Sequence, residues 1–330
     1  ASGEAASSRH DTPGMTMVEV TNDPQSSVLE SAIATPRVGA KRLRASISYL
    51  WVMPAILLYA LFTLTPLIAG IYLSFLRWDG VKPAKYIGLA NYERLLNDHK
   101  LRDALMHNAQ YAFGTVIGKN LLALGLALLL SQALRGRAFY RTALFLPVVM
   151  SFVVVGILWT WIYNDDFGLV NNLLRSVHLG GLAQDWLGDT RIALWSLIAV
   201  DIWKWYGFHM VIYLAGLQTI PTEFYEAAKL DGATRWRQLT GITIPLLKPV
   251  IVVNVTLSLL GAMNVFDIPF VMTGGGPANS TNVVSLHMYT EAFKFNRLGY
   301  GAAISYGLFT LITVIALIQL KLMSRNTSEY

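Results

Sequence analysis

Apolar residues in this chain gather in six long runs, at 47–76, 105–134, 140–163, 192–217, 246–272 and 298–322, separated by shorter polar stretches. A helix needs about 20 largely apolar residues to cross a bilayer, and helical backbone leaves none of its amides unpaired there. Every run is long enough, and the first and fourth leave room for tilt or an interfacial extension. Trp51, Trp78, Trp159, Trp161, Tyr163 and Trp195 stand near run ends, where amphipathic rings favour the membrane–water boundary. The pattern predicts an all-α polytopic membrane protein with six transmembrane helices.

The polar stretch 218–245 breaks this rhythm, because it is long and helix-forming yet lies between two strongly apolar runs. Pro221 and Thr222 offer a helix start, with Thr222 able to cap an open amide and Glu223 and Glu226 suited to the first turn. Asp231-Gly232 offers a stop. Thr234 can cap a second short helix through Trp236 and Leu239, with Gly241 ending it and Pro245 opening the next span. Ala227 and Ala228 give the first helix a smooth face, flanked by bulky Phe224 and Tyr225. These residues suit docking against another protein and equally an amphipathic hairpin on lipid headgroups.

Composition agrees with the bilayer as solvent: of 330 residues, 54% are hydrophobic and only 14% charged. The net charge of +6 comes mostly from Lys and Arg beside apolar runs, not from an aromatic-interleaved basic stripe, so no nucleic-acid partner is expected. There is no cysteine, which excludes disulfides and thiolate chemistry. Residues 1–40 are polar and without apolar period and read as a disordered cytoplasmic tail, with 41–330 forming one membrane domain. No signal-peptide pattern is visible, and Met15 or Met17 is a candidate native start. Arg37, Lys41, Arg42, Arg44, Arg135, Arg137, Arg141, Lys229, Arg235 and Arg237 flank alternate connections. The positive-inside rule then puts both termini and the 218–245 insert in the cytoplasm.

Lys119, Asp201, Lys204 and Asp267 fall within the runs, where an unpartnered charge is expensive. Asp201 and Lys204, three apart, share a helix face and can pair, and Asp267 can meet Lys119 across helices. Such pairs either lock packing or serve a polar pathway. In "DIWKWYGF", Asp201 to Phe208, aromatics and charges share turns, so Trp205 and Phe208 beside a carboxylate suit a sugar's C–H face and hydroxyls. His209 reads as a packed histidine.

The stretch "EAAKLDGATRWRQLTGITIP" resembles the EAA motif of ATP-binding-cassette importer permeases, with Glu226, Ala227, Ala228, Gly232, Ile242 and Pro245 on the pattern and Ile244 in place of a leucine. "GLANYERLL", "FYRTALFLP", "FGLVNNLL" and "FDIPFVMTGGGPANST" are similar to the subfamily importing oligosaccharides, polyols and glycerol phosphate, of the maltose F-type and glycerol-phosphate A-type. The likeness covers nearly all of 47–322. It implies a type I importer permease fold whose insert is a coupling helix seated on a cytoplasmic ATPase through Tyr225, Glu226, Ala227, Ala228, Asp231 and Gly232. It implies a second, distinct permease subunit, two ATPase subunits and an external sugar-binding protein, which the turn Gly274 to Pro277 would contact. ATP and Mg²⁺ would sit on the ATPase partners and no cofactor on this chain, which has no GxxxxGK[ST] loop. The positions matching the family's sugar path are Asp201, Lys204, Trp205, Phe208, Asn264, Asp267, Val148 and Phe152, with the charged pair a departure from more neutral residues.

Two other classes compete with this reading. A proton-coupled secondary transporter would use Asp201 and Asp267 as carriers and needs no coupling insert. An intramembrane enzyme is disfavoured, since neither HExxH nor GxSxG occurs.

Overall fold

A computed structural model describes residues 51–132 and 135–324. The tail expected at 1–40 and the start of the first run lie outside these residues. Two units meet at Pro66, inside the first helix, α1 (Trp51–Ser74). A π-turn at Ala60–Leu64 directly precedes Pro66 in this helix. Its wider hydrogen bonding suits a point where proline returns no N–H to the turn before it.

A short antiparallel hairpin follows, β1 (Leu76–Arg77) with β2 (Lys85–Tyr86), and then α2 (Ala90–Asn97). The longest helix, α3 (His99–Ser131), has 33 residues, roughly 50 Å of axis, well beyond the hydrocarbon thickness. Asp98 caps it, its carboxylate accepting from the amides of Lys100 and Leu101 at 2.9 and 3.3 Å. The same carboxylate accepts the Tyr300 hydroxyl at 2.6 Å, while Arg94 and Arg297 both reach the buried Glu291 at 3.0 and 2.9 Å. These bonds tie one end of the fold together.

The third run is not one straight span. It forms α4 (Arg137–Val149) and α5 (Phe152–Ile162), which meet at 98°. Met150 and Ser151 between them are extended, so the last carbonyls of α4 have no helical N–H to accept from. After α6 (Leu169–Ser176) comes α7 (Ala193–Gln218), the fourth run, with fifteen of its 26 residues buried. It runs parallel to α3, and that pairing is the most extensive in the fold. Small Ala104, Ala112, Ala123 and Ala127, all buried on α3, let the backbones approach as van der Waals packing in a membrane requires. On its other side, an added Cβ at Gly207 of α7 would run into the Leu144 carbonyl oxygen of α4.

The insert gives α8 (Thr222–Leu230) and α9 (Arg235–Gln238), which continue through a π-turn (Leu239–Thr243) into α10 (Ile244–Met263). The fifth run breaks at Asn264–Phe266 and resumes as α11 (Asp267–Met272). Then follow α12 (Val284–Tyr289), a π-turn and α13 (Leu298–Ser324).

Among the described residues four spans are long and apolar enough to cross a membrane, and the bent α4–α5 pair makes a fifth. The expected sixth, α7, is long enough, but Asp201, Lys204, His209 and its tryptophans lower its hydropathy. It is instead the helix most surrounded by protein, as an intramembrane helix carrying ionisable groups must be.

Candidate functional site

Two regions take up the residues singled out in the sequence. The first is the insert. Helix α8 begins at Thr222 with Pro221 in the cap position and no side-chain cap, so the expected Thr222 cap does not form. Its C-terminus is a Schellman turn: the Gly232 amide donates to the Lys229 carbonyl at 3.1 Å and Ala233 to Ala228 at 2.8 Å. Gly232 takes φ +73°, a left-handed conformation that glycine adopts without strain, and open space surrounds its Cα. Thr234 does cap the second helix, accepting from the Arg237 amide at 3.4 Å. Gly241, expected to end that helix, sits inside the π-turn and the helix runs on. The wide turn falls directly before Pro245, which has no N–H to offer it.

The Tyr225 hydroxyl lies 3.0 Å from Thr243 Oγ1 and pins α8 to the start of α10. Glu226, Ala227, Asp231 and Gly232 are exposed and Ala228 half-buried. Phe224, Leu230 and Trp236 are 51, 90 and 71% exposed beside them. The short helix thus leaves small residues and bare aromatic and leucine side chains uncovered.

The second region is a cavity of about 280 Å³ between α3, α5, α7, α10 and α11. Asp201, Trp205, Phe208, Phe152, Asn264 and Asp267 all line it, so six of the eight residues matched to a sugar path share one space. Val148 and Lys204 do not line it. They belong to the break between α4 and α5, where the Lys204 ammonium donates to the carbonyls of Met150, Val148 and Pro147 at 2.7, 3.3 and 3.4 Å. It also lies 4.5 Å from the centre of the Phe152 ring. A cation over the carbonyl end of a helix answers both its free acceptors and its dipole.

The ion pairs expected from sequence are therefore exchanged. Asp201 does not pair with Lys204 but with Lys119 of α3, Nζ to Oδ2 at 2.5 Å with both side chains buried. Asp267 does not pair with Lys119. Three-residue spacing put Asp201 and Lys204 on one face, but the freed carbonyls at Met150 and the close approach of α3 offered each a nearer partner.

Lys119, for which both roles were open, lines the cavity as well, and so do His209, Ser258, Gly261 and Phe266, which the sequence did not mark for it. His209 is packed, as expected, and also hydrogen-bonded: Nδ1 lies 2.8 Å from Asn254 Oδ1 and Nε2 3.2 Å from Ser258 Oγ. Asn120 donates to the same Ser258 oxygen at 3.0 Å and accepts from Tyr213 at 2.6 Å. The one signal for this network was a set of polar residues on the helices that also carry the charges. Above it, Phe152, Trp205 and Phe208 form a chain of tilted and edge-on rings with centroids 6.0 and 5.7 Å apart. Carboxylate, amide, hydroxyl and aromatic faces together can hold a polyhydroxylated ring by hydrogen bonds and C–H contacts. The glycine-rich stretch Gly274–Pro277 is a turn, with the Thr281 hydroxyl donating to the Gly276 carbonyl at 2.7 Å.

A family model described as "Binding-protein-dependent transport system inner membrane component" matches residues 110–327. The chain is 33% identical over 282 residues to the trehalose/maltose transport system permease protein MalF of Thermococcus litoralis, covering 85% of this chain and 95% of that protein. It is 36% identical over 289 residues to the lactose transport system permease protein LacF of Rhizobium radiobacter, with coverage of 86 and 96%. Among solved structures, a chain of a bacterial alginate ABC transporter bound to a periplasmic protein superposes with TM-score 0.78 at 24% identity, over 89% of this chain and 99% of that one. That likeness concerns the fold alone.

Proposed function

The chain belongs to the family of binding-protein-dependent transport system inner membrane components, and on that premise we propose that it is the sugar-translocating permease subunit of an ATP-driven importer. It is a multi-pass membrane protein and a translocation component, not the unit that performs a chemical reaction. In this reading residues 41–330 cross the inner membrane six times, with α4–α5 and α7 supplying two of the crossings, and both termini face the cytoplasm. The exposed α8 docks into a cytoplasmic ATPase subunit through Glu226, Ala227, Asp231 and Gly232. Two such ATPases bind ATP and Mg²⁺, a second permease completes the pathway, and an external binding protein delivers the sugar near Gly274–Pro277.

The observation that carries the reading is the cavity, where Asp201, Asn264, Asp267, Trp205, Phe208 and Phe152 converge. Relatives named for trehalose/maltose and lactose transport support a di- or oligosaccharide, or a related polyol, as cargo. The proton-carrier alternative has no support among the relatives, and its first carrier, Asp201, is held by Lys119. The test is a reconstituted complex of this chain with its second permease, ATPase pair and binding protein, assayed against disaccharides, polyols and glycerol phosphate. ATPase activity and uptake should rise together with one sugar class. Uptake that persists without the ATPase subunits would reject the proposal.

A further inference from the structure

We propose that Asp267 makes the cavity a charge filter, which accepts neutral and amino-bearing sugars and turns away sugars carrying a carboxylate. This inference rests on the permease reading above. Of the four charges around the cavity, three are engaged inside the protein. Lys119 and Asp201 lie 2.5 Å apart and buried. Lys204 is turned to three carbonyls at the end of α4, whose dipole offsets its charge. Asp267 differs: it is exposed, it lines the cavity, and among the described residues its carboxylate enters no salt bridge. The field of Lys204 reaches it, but that ammonium points elsewhere. The cavity therefore presents one charge without a salt-bridge partner, and it is negative.

Its surroundings sharpen the preference. Asn264, exposed and three residues earlier, offers an amide on the same wall. Phe266 stacks on Phe270 with centroids 5.0 Å apart, and the Tyr289 ring stands edge-on to both at 5.4 Å. A carboxylate beside aromatic faces accepts hydrogen bonds from hydroxyls, and more strongly from an ammonium. A uronate would bring like charge beside that carboxylate and be repelled by it. The fold is shared with a chain of an importer whose cargo is the acidic polysaccharide alginate, so such a filter would separate cargoes on one scaffold.

The absence of native cysteine makes the filter directly measurable. Asn264→Cys places the chain's one thiol on the cavity wall of the reconstituted complex. Its reaction rates with ammonium, sulfonate and uncharged methanethiosulfonates are then read from the mass of this chain. The ammonium-to-sulfonate ratio should exceed that of free cysteine by about tenfold, and adding Asp267→Asn should remove most of that excess. A ratio unchanged by Asp267→Asn, or one favouring the sulfonate, would overturn the filter. So would a thiol that even the uncharged reagent fails to reach. No transport is needed for this reading of charge, so it can fail while the permease reading stands. Conversely, wild-type uptake of the uronic-acid form of the cargo at the rate of the neutral form would overturn the filter and leave the permease reading intact.

Discussion

Replacing Lys119 with methionine keeps most of the side-chain volume and removes the charge that compensates Asp201. Both partners are almost fully buried, with side-chain exposures of 4 and 6%, so Asp201 would be left as a lone carboxylate in a protein-lined interior. Removing one member of a buried pair costs about 3–5 kcal/mol, whereas replacing both members by neutral groups is often close to neutral. Lys119→Met should therefore lower the melting temperature of the purified protein by something on the order of 10 °C. The double variant Lys119→Met with Asp201→Asn should regain most of that loss. Lys204 is the control: its partners are backbone carbonyls that no substitution of Asp201 removes, so Lys204→Met should gain nothing from Asp201→Asn. Uptake by the double variant separates the two roles of Asp201, because a carboxylate that also binds cargo leaves a stable protein that transports poorly. Wild-type melting in Lys119→Met, or a double variant no more stable than the single, would refute the pairing and the argument built on it.

At the insert, Gly232→Leu should insert and fold but lose coupled uptake, since open space surrounds its Cα within the chain and any clash would fall on the docked partner. Gly232→Asn, which tolerates φ +73°, should keep part of it, and wild-type uptake in the leucine variant would sink the coupling-helix assignment. Gly207→Val should destabilise the fold strongly by forcing α7 from the Leu144 carbonyl of α4, read as lost monodispersity in detergent. Burial pushes the Asp98 carboxyl up, but the Tyr300 hydroxyl, the Leu101 amide and nearby His287 outweigh this and hold it below its ordinary value of 3.8. A lowered folded-state value stabilises the fold above the unfolded value, and this stability is lost as pH falls through the folded one. Melts at about pH 5 and about pH 3 should thus differ more for wild type than for Asp98→Asn, and equal differences would remove Asp98 from the acid response.

Much of this architecture could be read from the chain. Apolar runs located the spans because lipid leaves only one backbone solution over that length. The stop at Asp231-Gly232 was legible because a helix closed by a Schellman turn needs a residue at ease with positive φ. The break at Met150–Ser151 was not legible, since "PVVMSFVVV" carries no glycine and its single proline looks like a helix residue. The freed carbonyls are tolerable there only because Lys204 reaches them from another helix. The same gap led the ion-pair expectation astray: spacing along α7 showed which charges share a face, not which neighbour each one meets.

Hydropathy failed in an instructive direction. The helix least suited by composition to face lipid, α7, carries one of the cavity's two carboxylates, two of its aromatic rings and the histidine of the polar network, and it is the helix most enclosed by others. A transport pathway must bring polar groups to the middle of a membrane, and each such group needs a partner that lipid cannot supply. Helices α3, α4 and α10 meet that requirement through Lys119, the carbonyls from Pro147 to Met150, Asn254 and Ser258. In the proposed function, low hydropathy within a long helical run, together with small residues on its neighbours, would mark the pathway. Among the described residues, Asp267 is the charge on the cavity wall left without a salt-bridge partner, and for that reason the cargo's own charge should be felt there first.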